Sequence, residues 1–294
     1  MKTLYIDCGM GAAGDMLTAA LLEIACRTES GRPDREAIEK FASGFNKIGI
    51  PGVEMKAVQS EKMGITGTHV HIYVNGEEEH EPEAPHEHVH HEHTHEHEHA
   101  HTHEHEHHHD HDHDHDHGHH HHVHRSMKDI EDIIRGLVID DAVKEDVLNV
   151  YRIIAEAEGA VHGKPAGEVH FHEVGTMDAV ADVTAVCMLM REISPEEVIA
   201  SPVATGYGSV RCAHGVLPVP APATALILRG VPAYAGDIQG ELCTPTGAAL
   251  VKYFAQKYSQ MPVMSTEAIG YGLGTKDFAK ANVIRIFYGS KVEL

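Results

Sequence analysis

Basic residues are scarce in this chain of 294 residues. Lysine and arginine total 23 against 45 aspartate and glutamate residues, which gives a formal net charge of -22. Proteins that bind nucleic acid need a basic face that displaces counterions from the phosphates. The charge balance therefore argues against nucleic acid as a partner.

Long apolar runs and paired cysteines are missing as well. No stretch approaches the ~18 uninterrupted apolar residues of a transmembrane helix, and Asp7 interrupts the N-terminal residues before an apolar signal core forms. The five cysteines form no CxxC pair and no zinc-finger spacing. An odd number of cysteines without a secretory signal fits a reducing compartment. We expect a cytoplasmic protein without disulfides or membrane contact.

The histidines are concentrated in one segment. Of the 30 histidines, 26 lie between His69 and His124. Residues 77–124 also carry 15 acidic side chains and no lysine or arginine, so this segment supplies most of the negative charge. Such sequence cannot bury enough apolar surface to offset its conformational entropy. We predict a long disordered loop over 77–124, between folded parts 1–76 and 125–294.

Metal binding is the predicted role of this loop. Neutral imidazole suits nickel, copper and zinc, and a chain of imidazoles can surround one ion. The predicted ligands alternate along the run and include His93, His95, His97, His99, His101 and His103. Storage or buffering fits such a run better than catalysis because nothing fixes its geometry. A solvated linker is the alternative.

Strands and helices alternate along the remaining chain. Apolar or alternating runs predict strands over 3–7, 53–59, 64–74, 169–174, 203–205, 208–212, 263–268 and 282–288. Helical periodicity predicts helices over 16–26, 34–45, 127–136, 141–161, 177–191, 221–228 and 246–258. This order is typical of an α/β to α+β fold with a mixed sheet and flanking helices.

Two histidines and three carboxylates form the first candidate site in the folded part. On the predicted strand His170 and His172 project from one face, with Glu173 next to them. Asp178 and Asp182 are four residues apart, which stacks them on one face of the next helix. Together they offer mixed nitrogen and oxygen ligands for a divalent metal. Capping and surface roles are the alternative.

A glycine loop between a strand and a helix forms the second candidate. Gly9, Gly11 and Gly14 let the backbone approach a ligand at a helix N-terminus, where an anion is favoured. Asp7 and Asp15 flank the loop and would repel a bare phosphate, so a metal or a metal-bridged phosphate suits them better. A tight turn before an acidic helix start explains the same residues.

Three later segments carry further candidates. His214 precedes a proline-rich stretch, although a single histidine also fits a structural role. Thr246 is predicted as the N-cap of a helix, where Thr244 and Gly247 would offer donors to a phosphate or carboxylate. A plain helix cap is the alternative. The glycine-rich residues 270–277 are predicted to form a loop at the edge of the active site.

Four of these motifs together resemble one family. They lie at 7–16 (DCGMGAAGDM), 171–175 (FHEVG) with Asp178, 213–224 (AHGVLPVPAPAT) and 241–249 (ELCTPTGAA). They are similar to motifs of the nickel insertion proteins that make the nickel-pincer cofactor of lactate racemase and its relatives. The resemblance covers nearly the whole chain, and family members often carry a histidine-rich insertion at this place.

The resemblance implies a reaction and its partners. The family inserts Ni2+ into pyridinium-3,5-bisthiocarboxylic acid mononucleotide, forming two Ni–S bonds and one Ni–C bond, while CTP is hydrolysed to CMP and diphosphate. Complete members continue into a CTP-binding C-terminal region, so CTP use is expected only with that region, supplied by a separate polypeptide. A lactate racemase-type apoenzyme is the expected recipient, and a homo-oligomer is the expected state.

Roles follow from this chemistry on the matching positions. His172, Glu173, Asp178, Asp7 and Asp15 are the expected metal-facing set, joined by His170 and Asp182. His214 and Glu173 are the candidate catalytic residues, because Ni–C bond formation releases a ring proton that a base must accept. A phosphate on the substrate suits the glycine loop and the segment 244–247.

Two other functions remain open from the residues alone. One is nickel storage or delivery without catalysis, acting through the histidine-rich loop. The other is a nucleotide-dependent enzyme that uses residues 9–15, with metal binding incidental. Removal of the loop separates the first from an insertion enzyme, and nucleotide titration separates the second.

Overall fold

Seven α-helices and sixteen strands are present in the part of the chain that the computed structural model describes, residues 1–78, 125–171, 173–212 and 214–292. The helices are α1 (Gly14–Ala25), α2 (Arg35–Phe45), α3 (Met127–Gly136), α4 (Asp141–His162), α5 (Met177–Ile193), α6 (Pro222–Ile227) and α7 (Pro245–Phe254). The strands are β1 (Lys2–Asp7), β2 (Val53–Lys62), β3 (Ile65–Val74), β4 (Glu77–Glu78), β5 (Arg125–Ser126), β6 (His170–Phe171), β7 (Glu197–Ala200), β8 (Val203–Ala204), β9 (Gly206–Tyr207), β10 (Ser209–Cys212), β11 (Gly215–Pro218), β12 (Ala233–Tyr234), β13 (Gly240–Glu241), β14 (Lys257–Tyr258), β15 (Met264–Leu273) and β16 (Val283–Lys291). Short 3₁₀ turns lie at Ala166–Glu168 and Glu173–Gly175.

One large mixed sheet organises these elements. Its strand order is β14-β7-β1-β16-β15-β3-β2, with β4 added beside β3. Strand β1 is parallel to β7 and antiparallel to β16, while β2 and β3 form a long antiparallel hairpin. The remaining strands form small two-stranded ribbons. The predicted mixed sheet with flanking helices is confirmed.

Helix α1 lies directly against strand β15 because two glycines remove the side chains between them. A Cβ on Gly270 would lie 2.0 Å from the carbonyl oxygen of Ala20, and one on Gly272 would lie 1.9 Å from that of Met16. The prediction of an active-site loop over 270–277 is therefore wrong for residues 270–273, which belong to β15. These glycines serve the close approach of helix and sheet.

A buried carboxylate fastens α1 to its neighbours. Glu23 accepts hydrogen bonds from the Thr68 hydroxyl at 2.7 Å, the Tyr271 backbone N–H at 2.9 Å and the Arg35 guanidinium at 3.2 Å. Burial raises the pKa of Glu23, and these donors oppose that rise. The network fixes the position of α1 relative to β3, β15 and α2.

Helix α5 is held by a second polar contact. Asp146 on α4 accepts hydrogen bonds from Arg191 on α5, including one of 2.8 Å from Nη2, and from the Tyr253 hydroxyl on α7 at 2.7 Å. Because Asp146 is buried, its partners satisfy a carboxylate that would otherwise destabilise the core. Helices α4, α5 and α7 are therefore tied together at one point.

Several boundaries differ from the sequence predictions, and pairing partners explain three of the differences. The predicted strand 169–174 is reduced to β6, because its partner β5 offers only two residues before α3 begins. The predicted helix 246–258 starts earlier and ends at Phe254, since Lys257–Tyr258 pairs with β7. Glu77–Glu78 pairs with β3 rather than belonging to the loop, whose residues 79–124 lie outside the described ranges.

No helix among the described residues is long and apolar enough to cross a membrane.

Candidate functional site

Two of the sequence motifs meet at the N-terminus of α1. The loop between β1 and α1 hydrogen-bonds to the segment before α7: the Ala12 N–H donates to the Leu242 carbonyl, and the Thr244 N–H donates to the Ala12 carbonyl, both at 3.0 Å. Ala12 and Cys243 form an isolated bridge at the same place. Residues more than 200 positions apart in sequence thus share one ordered junction.

Glycines make this junction possible. Gly11 has a φ of +79°, and a Cβ there would lie 1.9 Å from the Leu242 carbonyl oxygen. A Cβ on Gly247 would lie 2.0 Å from the Ala12 carbonyl oxygen. Gly9 donates its N–H to Asp7 Oδ1 at 3.1 Å. Packing and turn geometry therefore account for these glycines, and ligand binding by them stays a prediction.

Asp182 of α5 approaches the first turn of α1. A Cβ on Gly14 would lie 2.6 Å from Asp182 Cβ and 2.7 Å from Asp182 Oδ2, so only glycine leaves room for this carboxylate. The backbone N–H of Asp15 donates a hydrogen bond to Asp182. Because Ala13, the N-cap of α1, offers no side-chain acceptor, Asp182 takes that place from another helix.

Three buried oxygen atoms at the junction of α1, α4 and α5 have no hydrogen-bond partner among the residues that the structure describes. They are Asp178 Oδ1, Asp182 Oδ1 and the Tyr151 hydroxyl. Buried polar atoms normally have a hydrogen-bond partner. A buried carboxylate oxygen without one lowers the stability of the folded protein. Both aspartates are half-buried as whole residues, so the burial concerns the individual oxygen atoms.

The electrostatics of this cluster favour a cation. Burial raises the pKa of Asp182 well above its usual range, and the charges of Asp15 and Asp178 raise it further. Burial also raises the pKa of the Tyr151 hydroxyl, with Asp178 and Asp182 adding to the effect. Like charges this close resist joint ionisation. A bound divalent cation would reduce that repulsion, and a metal role for these aspartates stays a prediction. We call Asp15, Asp178, Asp182 and Tyr151 the carboxylate cluster.

Arg125 is the positive charge associated with Tyr151 in this region. Its influence lowers the pKa of Tyr151, against the larger effect of burial. Its Nη1 donates to the carbonyl oxygen of Gly175 at 2.9 Å, in the turn that leads into α5. Arg125 thus holds the turn that leads into α5, the helix that carries Asp178 and Asp182.

Asp7 has partners of its own. Its Oδ2 accepts a 3.0 Å hydrogen bond from Arg285 Nε and a second from Nη2, while its Oδ1 accepts the Gly9 N–H. The two oxygens therefore serve an ion pair between β1 and β16 and a tight turn. To bind a metal, Asp7 would have to use an oxygen atom that already accepts a hydrogen bond.

The other predicted metal ligands are placed unequally. His170 is exposed and pairs through its backbone with Ser126. His172 lies outside the described residues, and only the backbone of Glu173 is described, in a 3₁₀ turn. The loop ligands lie outside the described residues: His93, His95, His97, His99, His101 and His103.

His214 lies at the turn of the β10–β11 ribbon. It is exposed, and its ring centroid is 5.1 Å from that of His162 at the end of α4. This pairing joins two histidines that are 52 positions apart by their numbers. A catalytic role for His214 stays a prediction.

Thr244, rather than Thr246, caps α7. The Thr244 hydroxyl accepts the Gly247 N–H at 3.1 Å and contacts the Thr246 hydroxyl at 3.0 Å. The prediction of Thr246 as the cap is wrong, because Pro245 occupies the first helical position and moves the cap one residue before it.

We expect Thr244→Ala to lower the free energy of unfolding by about 1 kcal/mol, the usual cost of losing a threonine N-cap. Thr246→Ala, which leaves the cap bond intact, is the matched control and should change it by less than about 0.5 kcal/mol. Urea unfolding followed by circular dichroism measures both. Equal losses in the two variants would contradict the assignment of the cap.

Sequence reasoning missed Tyr151. It lies on the apolar face of a long amphipathic helix, where the sequence pattern indicates a core residue. Its ring centroid is 5.9 Å from that of Phe171. Only the fold brings its hydroxyl under the influence of the Asp178 and Asp182 charges, which add to the effect of burial on its pKa. No local pattern carries that information.

Comparisons with known proteins give a consistent picture. The sequence model of the family described as nickel insertion protein matches residues 4–294. A protein named pyridinium-3,5-bisthiocarboxylic acid mononucleotide nickel insertion protein, from Clostridium kluyveri, is 37% identical over 99% of this chain and 63% of its own length. Proteins of the same name from Clostridium acetobutylicum and Geobacillus kaustophilus are 38% and 35% identical, over 99% and 100% of this chain.

The chain spans 61–64% of the length of these three relatives. No solved structure matches it.

Proposed function

Because the chain belongs to the nickel insertion protein family, we propose that it holds Ni2+ for insertion into pyridinium-3,5-bisthiocarboxylic acid mononucleotide. The names of its relatives support this substrate. One observation in the structure supports the nickel role most directly: two buried aspartate oxygens, Asp178 Oδ1 and Asp182 Oδ1, have no hydrogen-bond partner within the described part of the chain. Ni2+ is here the cargo of the reaction.

The carboxylate cluster suits a cargo ion. Oxygen ligands hold Ni2+ less tightly than a closed set of thiolates, and sulfur donors of a substrate can then replace them. Asp178 and Asp182 would bind the ion, and Asp15 and the Tyr151 hydroxyl would complete its surroundings. Release follows when the two thiocarboxylate sulfurs displace the aspartate oxygens.

The remaining steps concern the substrate. Formation of the Ni–C bond breaks a ring C–H bond, and we propose His214 or Glu173 as the acceptor of that proton. The substrate phosphate would bind at the N-terminus of α7, near Thr244, Thr246 and Gly247, or beside the loop of Gly9, Gly11 and Gly14. His170, His172 and Asp7 remain proposed members of the metal-facing set.

We further propose that the reaction is that of a lyase forming metal–sulfur and metal–carbon bonds, and that it depends on CTP. The CTP would be bound by the region that corresponds to the part of the relatives beyond this match. A lactate racemase-type apoenzyme would receive the product, in the cytoplasm, and the chain would act as a homo-oligomer.

Nickel storage through the histidine-rich segment is the second candidate, because 24 of the 30 histidines lie within residues 80–124. The two functions differ in what loss of the histidine-rich segment would change. In an insertion enzyme it helps to collect the metal, so its loss raises the nickel concentration required. In a storage protein it is the functional site itself.

The test is a reconstituted insertion assay with the mononucleotide, CTP and a CTP-binding region from a relative. The full chain is compared with a variant in which every histidine of residues 80–124 is replaced by asparagine. We expect product in both, with a higher nickel concentration for half-maximal rate in the variant. Product from neither chain at millimolar nickel would refute the insertion function. Nickel binding by the full chain that is lost in the variant would then favour storage.

A further inference from the structure

Two histidines and a glutamate lie together on the large sheet, away from the carboxylate cluster. His69 and His71 occupy alternate positions of β3, and Glu78 follows on β4. One potential ligand atom from each of the three residues lies within 4.8 Å of those of the other two. The intervening Val70 faces the hydrophobic core, so the histidines lie on the opposite face of the sheet.

Existing hydrogen bonds prepare both imidazoles to bind a metal. His69 Nδ1 lies 2.9 Å from the Leu273 carbonyl oxygen, and His71 Nδ1 lies 2.7 Å from Glu78 Oε1. A carbonyl oxygen and a carboxylate oxygen only accept, so each Nδ1 carries the proton. Each Nε2 therefore keeps its lone pair. This is the usual arrangement of metal-binding histidines, in which the second nitrogen donates to a carbonyl or carboxylate.

The backbone around the cluster is rigid. Strand β3 pairs with β2 along its whole length, with His69 opposite Val58 and His71 opposite Lys56. The centroids of the two imidazole rings are 4.3 Å apart, and the ring planes are inclined at 64°. Ligand atoms around an ion at ~2.1 Å lie roughly 3.0–3.4 Å from one another. The potential ligand atoms of the three residues, at most 4.8 Å apart, lie near that spacing.

The neighbouring cations have partners of their own. Lys56 pairs with Glu54 at 3.3 Å, and Lys62 pairs with Asp277 and donates to the Thr275 and Lys276 carbonyl oxygens. Neither lysine is therefore assigned to Glu78, which is bonded to His71. A structural ion pair does not explain why two imidazoles and a carboxylate converge here.

We propose that His69, His71 and Glu78 form a second nickel site, on the folded part of the chain and separate from the carboxylate cluster. Two imidazoles, with Glu78 orienting His71, suit nickel, copper or zinc, and the choice of Ni2+ rests on the proposed function. Glu78 directly precedes the histidine-rich residues 79–124. The site therefore lies where the histidine-rich segment joins the sheet. Metal collected by that segment would reach this site first.

The experiment uses the full-length chain with asparagine in place of every histidine of residues 80–124, so that only ordered sites remain. Equilibrium dialysis with Ni2+ gives the stoichiometry and affinity, and nickel X-ray absorption reports imidazole ligands. We expect one site with two imidazoles and a second site with oxygen ligands. His71→Gln should remove the imidazole signal and weaken that site more than the ~10–100-fold typical of an outer partner.

Further variants separate the outcomes. Glu78→Gln should weaken the imidazole site about 10-fold or more, because a carboxylate that orients a ligand is lost. Tyr73→Phe, two residues along the same face, is the matched control and should leave the site intact. Asp182→Asn should abolish only the oxygen site, which tests the proposed function independently. Absence of imidazole ligation in the parent, or an unchanged affinity in His71→Gln, would overturn this proposal.

Discussion

Asp182→Asn should stabilise the metal-free protein and weaken its nickel binding at the same time. The substitution removes one of several crowded carboxylates while its amide oxygen can still accept the Asp15 N–H. Burial and the two neighbouring carboxylates disfavour the charged form of Asp182, so we expect the free energy of unfolding to rise in the variant. Loss of a direct ligand should cost nickel affinity more than the ~10–100-fold of an outer partner.

The gain should depend on pH. Burial first, and then Asp15 and Asp178, raise the pKa of Asp182 in the folded protein. Its contribution to stability is therefore full below the unfolded pKa of about 3.9 and is lost as pH rises through the raised folded pKa. The asparagine variant should exceed the parent in melting temperature at neutral pH, and the difference should disappear near pH 4.

Calorimetry without metal and equilibrium dialysis with Ni2+ measure the two effects. Asp141→Asn is the matched control, since that aspartate is 96% exposed at the start of α4 and should change stability by less than about 0.5 kcal/mol. A lower melting temperature with unchanged nickel affinity would mean that Asp182 acts only as a cap for α1. The direction of the change in melting temperature and that of the change in nickel affinity together distinguish a metal ligand from a structural residue.

Gly14→Ala should also abolish tight nickel binding at the carboxylate cluster, but with a loss of stability. The new methyl group would lie 2.6 Å from Asp182 Cβ, so the aspartate and its helix must move. Overpacking of this kind costs about 1–3 kcal/mol. We expect a fall in nickel affinity comparable to that of Asp182→Asn, and a lower melting temperature where asparagine gives a higher one.

Gly44→Ala provides the control for this substitution. Gly44 lies in α2 with open space around its Cα, so alanine should stabilise the helix by about 0.5–1 kcal/mol. Dialysis should show the parent's nickel affinity in this variant. Retention of full nickel affinity in Gly14→Ala would show that the observed position of Asp182 is not needed for binding.

Local sequence patterns were sufficient to predict most of the helices and strands. The alanine and leucine periodicity of residues 16–26 predicted α1, and the alternation of 64–74 predicted β3, within two residues of the observed bounds. The four-residue spacing of Asp178 and Asp182 predicted a shared helical face, and an oxygen of each is buried. These features depend on neighbours in sequence, which explains why they are readable.

Features that depend on distant partners were not readable. Residues 169–174 have a strand pattern, but only Arg125 and Ser126 are available to pair with them. Gly270 and Gly272 look like loop residues until α1 is placed against them. Tyr151 and the approach of Asp182 to Gly14 depend on how α1, α4 and α5 pack. The alternation of β3 put His69 and His71 on one face, but Glu78 fell inside the predicted loop.

The position of β1 has a consequence for synthesis. Lys2 pairs with Ser290 and Thr3 with Glu197, so the strand made first lies between two strands made late. At ~5–20 residues per second, a ribosome needs roughly 15–60 s to reach β16 after completing β1. The histidine-rich residues emerge within that interval, before Asp178 and Asp182 exist. A nascent chain therefore offers imidazoles to cellular metal well before either the sheet or the carboxylate cluster can be completed.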